Sequence, residues 1–146
     1  MSRSQLWREV AAGGATAARG DASAKLVLGR GCDPVMAQQS TTFLPPLLNG
    51  AKIVAFSDDD SFFAHLDAIK AGSAPRPSVV FFAPGACRWS AARLPIPGGN
   101  AASAGWGLEQ YHARVREVLG GDVPIVGSDR EAEMVPLLRR ALGLKG

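Results

Sequence analysis

The chain has 146 residues, a formal net charge of +3 and 47% hydrophobic side chains. That length fits one domain able to bury a real core. No apolar run approaches the roughly 20 residues that span a bilayer, and two cysteines are no disulfide framework. The expectation is therefore a single domain over residues 1–146 in a reducing compartment, the cytoplasm or an organelle matrix, with no membrane association.

Residues 1–24 read as a helical extension. Ser4 can cap a helix to Ala12, with Leu6, Trp7, Val10 and Ala11 on one stripe. The first strand is expected from about Lys25 to Gly29. Asp33-Pro34 then supplies an N-cap followed by proline at the first helical position. That helix can run to about Phe43, where Pro45-Pro46 should break or kink it. A second strand follows at about Lys52 to Phe56. Asp58 to Ser61 place caps and negative charge at a helix N-terminus, where the macrodipole favours them. Phe62, Leu66 and Ile69 form the buried stripe of that helix.

A third strand is expected from about Ser78 to Ala83. Between it and the next helix lies an excursion from Pro84 to Gly105, rich in Pro and Gly and carrying Arg88, Trp89 and Arg93. Long segments of this kind in compact domains are functional or disordered. The next helix is marked by Leu108, Tyr111, Val115 and Val118. A fourth strand runs from about Val123 to Gly127. Ser128 with Glu131 then reads as a capping box, and Val135, Leu138 and Leu142 form the last stripe. Arg139, Arg140 and Lys145 lie at its favourable C-terminal end.

The strand runs are continuously apolar, as in strands covered on both faces. The expected fold is α/β: a doubly wound three-layer α/β/α domain of Rossmann or flavodoxin-like type. Its mainly parallel sheet has four strands, with room for a fifth, and 2-1-3-4 is the simplest order. Such sheets bind ligands outside the carboxyl ends of their strands. The residues expected there are Arg30, Cys32 and Asp33; Ser57 and Asp58 to Ser61; Cys87 and Arg88; and Ser128, Asp129 and Arg130.

Known chemistries fit poorly at that edge. Asp33, Asp59, Asp60 and Asp129 can hold Mg²⁺ through oxygen, but helix capping accounts for each. Ser57-Asp58-Asp59-Asp60 looks like the acidic pair of receiver domains. The place of their phosphorylated Asp, however, holds Ala83-Pro84-Gly85. Cys87 and Arg93 have the spacing of a Cys-dependent phosphatase loop without its glycines. A Walker loop and a dinucleotide fingerprint are both missing. Cys32, Cys87, His65 and His112 match no zinc spacing, so no metal or cofactor is expected. In a 2-1-3 order Cys32 and Cys87 can approach each other, but inert buried thiols explain them better.

Over roughly residues 25 to 130 the layout resembles the SGNH (GDSL-type) hydrolases. The strand that should end in Gly-Asp-Ser is here Leu28-Gly29-Arg30-Gly31-Cys32. The Gly-x-Asn-Asp block falls near Pro84-Gly85-Ala86-Cys87, and no His lies beyond Gly127. The resemblance implies the topology and argues against hydrolysis by that mechanism.

Two functions remain. One is a non-catalytic interaction module, a subunit of a larger assembly, binding other proteins. Association with RNA or a ribonucleoprotein extends that reading. The stretch from Ala71 to Leu108 carries Arg76, Arg88 and Arg93 without an acidic residue, near Trp89 and Trp106, and basic groups with aromatics bind nucleic acid. The other is a small enzyme with a degenerate hydrolase-like site, holding a phosphate-bearing or other small ligand at the strand edge. The contact residues expected are Arg88, Trp89, Arg93, Trp106, Cys32, Cys87, Asp58 and Ser128.

Overall fold

The computed structural model describes residues 22–31, 33–82, 98–128 and 130–144. Its elements, in chain order, are β1 (Leu26–Arg30), α1 (Pro34–Leu47), β2 (Lys52–Phe56), α2 (Asp59–Lys70), β3 (Val79–Phe82), a 3₁₀ turn (Ala101–Ser103), α3 (Leu108–Leu119), β4 (Ile125–Gly127), a second 3₁₀ turn (Glu131–Glu133) and α4 (Met134–Ala141). The Ser4–Ala12 helix and most of the excursion lie outside the described residues.

All strand pairs are parallel, and the sheet order is β2-β1-β3-β4. A fifth strand does not occur among the described residues. Alternation along the strands splits the core in two. Val27, Ile53, Val79 and Phe81 pack with Leu44 of α1 and with Met134, Val135 and Leu138 of α4. Leu28, Val80 and Phe82 pack with Phe62, Leu66 and Ile69 of α2 and with Tyr111, Val115 and Leu119 of α3. Two helices therefore cover each face, which is the three-layer α/β/α arrangement. Gly29 is required by close packing: a Cβ there would lie 2.4 Å from the Phe81 ring on the neighbouring strand.

Local rules predict some termini and miss others. Asp33 caps α1, its carboxylate accepting from the Val35 N–H at 2.9 Å, and Pro34 fills the first helical position. The helix does not stop before Pro45-Pro46; it runs through both to Leu47. Their ring-fixed φ is compatible with a helix. The carbonyls they leave without intrahelical donors, those of Thr41 and Thr42, sit in an exposed stretch open to water. The chain then turns at Asn49, with φ of 56°, and the Gly50 N–H donates to the Pro45 carbonyl at 2.8 Å.

At Ser128 the Glu131 side chain of the expected capping box lies outside the described residues. The Ser128 hydroxyl accepts from the Arg130 N–H at 3.0 Å and donates to Glu133 at 3.3 Å, closing the turn that leads into the second 3₁₀ segment. The α-helix begins only at Met134. Arg139 does more than face a helix dipole. It is buried, and its Nη1 donates to the Leu47 carbonyl at 2.9 Å and to Asn49 Oδ1 at 2.8 Å. It thus holds the C-terminus of α1 from α4.

Candidate functional site

The parallel sheet places Arg30, Phe56, Phe82 and Gly127 at one edge. The order reverses between β1 and β3, the position where such sheets open a crevice. Around it, the fold engages three of the polar groups that the sequence singles out. Asp58 caps α2, its carboxylate accepting from the Ser61 N–H at 2.7 Å. Asp60 accepts from Asn100 Nδ2 at 2.8 Å. Ser128 is held by Arg130 and Glu133, as described above.

Asp59 has the most unusual surroundings. It is the first residue of α2 and fully buried, and so are Arg30, 1% exposed, and Tyr111, 1% exposed. Arg30 Nε and Nη2 both donate to Asp59 Oδ1, at 3.0 and 2.9 Å. The Tyr111 hydroxyl donates to Asp59 Oδ2 at 2.5 Å. Arg30 Nη1 donates to the Gly31 carbonyl, and the guanidinium carbon lies 6.0 Å from the Tyr111 ring centre. A buried pair of this kind survives only when its remaining donors and acceptors are satisfied. The strand end of β1, the N-terminus of α2 and the first turns of α3 meet at this one carboxylate. Burial, then the bond to Asp59, pushes the Tyr111 hydroxyl up to about 12. It therefore stays a donor throughout the neutral range, and its contribution is lost only as pH rises from about 10 through about 12.

The end of the excursion is built onto the same spot. The Asp59 N–H donates to the Gly98 carbonyl at 2.8 Å. Gly98 has φ of +86°, and a Cβ there would lie 2.5 Å from the Ser57 carbonyl oxygen and 3.2 Å from Arg30 Nη2. Asn100 caps the 3₁₀ turn while bonding Asp60. The half-buried Trp106 packs on Phe63 and Tyr111, with ring centres 5.6 and 5.2 Å apart. Residues 98–106 thus lie as a limb across the carboxyl ends of β1 and β2.

The two histidines mirror each other. His65 packs on Phe56, the last residue of β2, at 5.1 Å, and His112 packs on Phe82, the last residue of β3, at 5.2 Å. His65 Nε2 is buried with no hydrogen-bond partner among the described residues. Burial lowers both imidazoles below their ordinary value, helped at His112 by Arg116. A lowered folded value means that the unfolded chain takes up protons first as pH falls. Their contribution is present above about pH 6.5 and is lost as pH drops through the folded values. Urea midpoints should fall between pH 7 and pH 5, and less steeply in a His65→Gln, His112→Gln variant. Identical pH profiles would refute this.

Of the expected contact residues, Asp58, Trp106 and Ser128 are placed, each bonded or packed within the fold. Cys32, Cys87, Arg88, Trp89 and Arg93 lie outside the described residues. Among the described residues no three His, Cys, Asp or Glu side chains gather to hold a metal, and no helix is long and apolar enough to cross a membrane. No local motif in the sequence marks Arg30, Asp59 and Tyr111 as a cluster. The available signals were an Arg closing an apolar strand and the chain's one Tyr. No protein-family model matches the chain, and no curated protein or solved structure matches it.

Proposed function

We propose that this chain is a non-catalytic interaction module, a subunit of a larger assembly, which makes its contact through the segment between β3 and α3. One observation carries the reading: Asp58, Asp59, Asp60 and Ser128 at the strand edge are engaged by the fold, and the segment's return limb is fixed there through Gly98 and Asn100. A rigid base that presents a Pro-, Gly-, Arg- and Trp-bearing segment suits recognition better than turnover. Arg and Trp dominate interface energetics, which makes Arg88, Trp89 and Arg93 the proposed contacts. The partner is another protein, or an RNA-bearing particle in the cytoplasm or an organelle matrix. The reading requires no cofactor.

Photo-crosslinking tests this. A photoreactive residue in place of Trp89, expressed in the source cells, should give a discrete adduct with protein or RNA. The same residue in place of the exposed Lys70 should give none. Arg88→Ala with Arg93→Ala in the same photoreactive variant should abolish the adduct, and removing residues 86–96 should leave the fold intact. A deletion of 90–103 would also remove Gly98, Asn100 and Ser103, and so would confuse binding with stability.

The order reversal between β1 and β3 favours a second reading, a small enzyme with a degenerate hydrolase-like site for a phosphate-bearing ligand. A rise in unfolding midpoint with nucleotides or sugar phosphates, lost in Arg88→Ala and Arg93→Ala, would establish it. Absence of the Trp89 adduct together with such a shift would overturn the module.

A further inference from the structure

The two ends of the sheet are built differently. β4 has three residues, follows Pro124 and ends in Gly127. A short strand beside a proline is a protected edge. β2 has five residues, no proline and one charge, Lys52, at its very start.

The ladder phase shows which groups β2 turns outward. The Lys52 N–H donates to the Lys25 carbonyl at 3.0 Å, and the Gly31 N–H donates to the Phe56 carbonyl at 2.9 Å. Residues 52, 54 and 56 therefore bond β1, and Ile53 and Ala55 point their N–H and C=O away from the sheet. Those outward groups have no hydrogen-bond partner among the described residues. Beside them, the side of α2 turned away from α3 carries Ser61, His65 and Ala68. The opposite side meets α3 through Phe63 and through Asp67, whose carboxylate lies 3.3 Å from Arg114. Apart from His65, the α2 side chains on that side are small.

We propose that this edge pairs with the same edge of a second copy, antiparallel about Val54, joining two four-stranded sheets into one. The register is self-complementary. Ile53 lies opposite Ala55 of the second copy, and each such pair exchanges both of its N–H···O bonds. Val54 meets its own equivalent on the two-fold axis. Lys52 lies opposite Phe56 of the second copy, where its ammonium rests beside an aromatic ring and not against a second Lys52. Centring the axis on Ile53 or Ala55 leaves residues of β2 unpaired, so Val54 is the register that uses the whole strand. The interface is isologous, as a two-fold dimer requires. It is independent of what the segment between β3 and α3 binds.

Light scattering on the full chain should give twice the 15.2 kDa chain mass. Ala55→Pro removes an N–H that β1 does not use, so it should give a monomer with unchanged circular dichroism and unfolding midpoint. Val54→Cys places a thiol on the axis, in a non-hydrogen-bonded pair with Cα atoms about 4.5 Å apart, within reach of a disulfide. Air oxidation should link the two copies there, identified as a 54–54 cross-linked peptide by mass. A monomeric mass at the highest concentration reached overturns the proposal. So does a dimer that survives Ala55→Pro and forms no 54–54 link. If Ala55→Pro fails to fold, the parent's mass and the 54–54 link decide the matter.

Discussion

Asp59→Ala is expected to cost the domain about 3–5 kcal/mol, the range for removing one partner of a buried ion pair. Arg30 is 1% exposed, so without Asp59 its guanidinium has no water to replace the lost carboxylate. It donates to Asp59 through two nitrogens, at 3.0 and 2.9 Å. Tyr111→Phe leaves the ion pair and removes one charge-assisted bond, with an expected cost of about 1.5–3 kcal/mol. Replacing both charges, as Arg30→Met with Asp59→Leu, should cost far less than Asp59→Ala alone, because no buried charge is stranded. Urea unfolding measures all three, read as a shift in midpoint at constant slope. If Asp59→Ala costs under about 1 kcal/mol, the pair is behaving as a solvated surface bridge, and the edge is open to water.

The parts of this fold that were legible depended on period and punctuation. Continuous runs such as Val79-Val80-Phe81-Phe82 announced strands covered on both faces, and the parallel sheet confirms them. The stripes Phe62/Leu66/Ile69 and Val135/Leu138/Leu142 announced the buried sides of α2 and α4, and all six residues are buried. Local chemistry proved less decisive. Pro45-Pro46 did not end α1, because proline in a last turn forfeits hydrogen bonds that water replaces. Asp58, Asp59 and Asp60 look alike as caps in the sequence, and only Asp58 caps by its side chain. Asp59 turns inward because β1 ends in Arg30 beside it, and Asp60 turns to Asn100, which is 40 residues away in sequence. A local rule sees a carboxylate at a helix N-terminus. It does not see which distant cation the topology delivers to it. The same limit hid Tyr111, whose stripe position gave its burial but not the partner of its hydroxyl.

Gly98→Ala is expected to cost about 2–5 kcal/mol, combining left-handed backbone strain of about 1–2 with overpacking of about 1–3. The added Cβ would lie 2.5 Å from the Ser57 carbonyl oxygen, a backbone atom that no rotamer change can move. The limb must lift, and lifting it breaks the bond from the Asp59 N–H to the Gly98 carbonyl and uncovers Arg30. Hydrogen exchange should speed up at the Asp59 amide and across residues 98–103, while β1 and β3 stay protected as long as the sheet remains folded. Asn100→Ala is the milder companion, losing a cap and the Asp60 contact, with a cost of about 0.5–2 kcal/mol. Removing residues 86–96 should by contrast leave the midpoint in place, since the described bonds that tie the segment to the strand edge run through Gly98 and Asn100. If Gly98→Ala exchanges like the parent, the limb is not held by this contact. If the 86–96 deletion unfolds the domain, the segment belongs to the core and is not presented for recognition. A destabilised Gly98→Ala beside an unaffected deletion would place the boundary between scaffold and contact surface at Gly98, where the chain rejoins the fold.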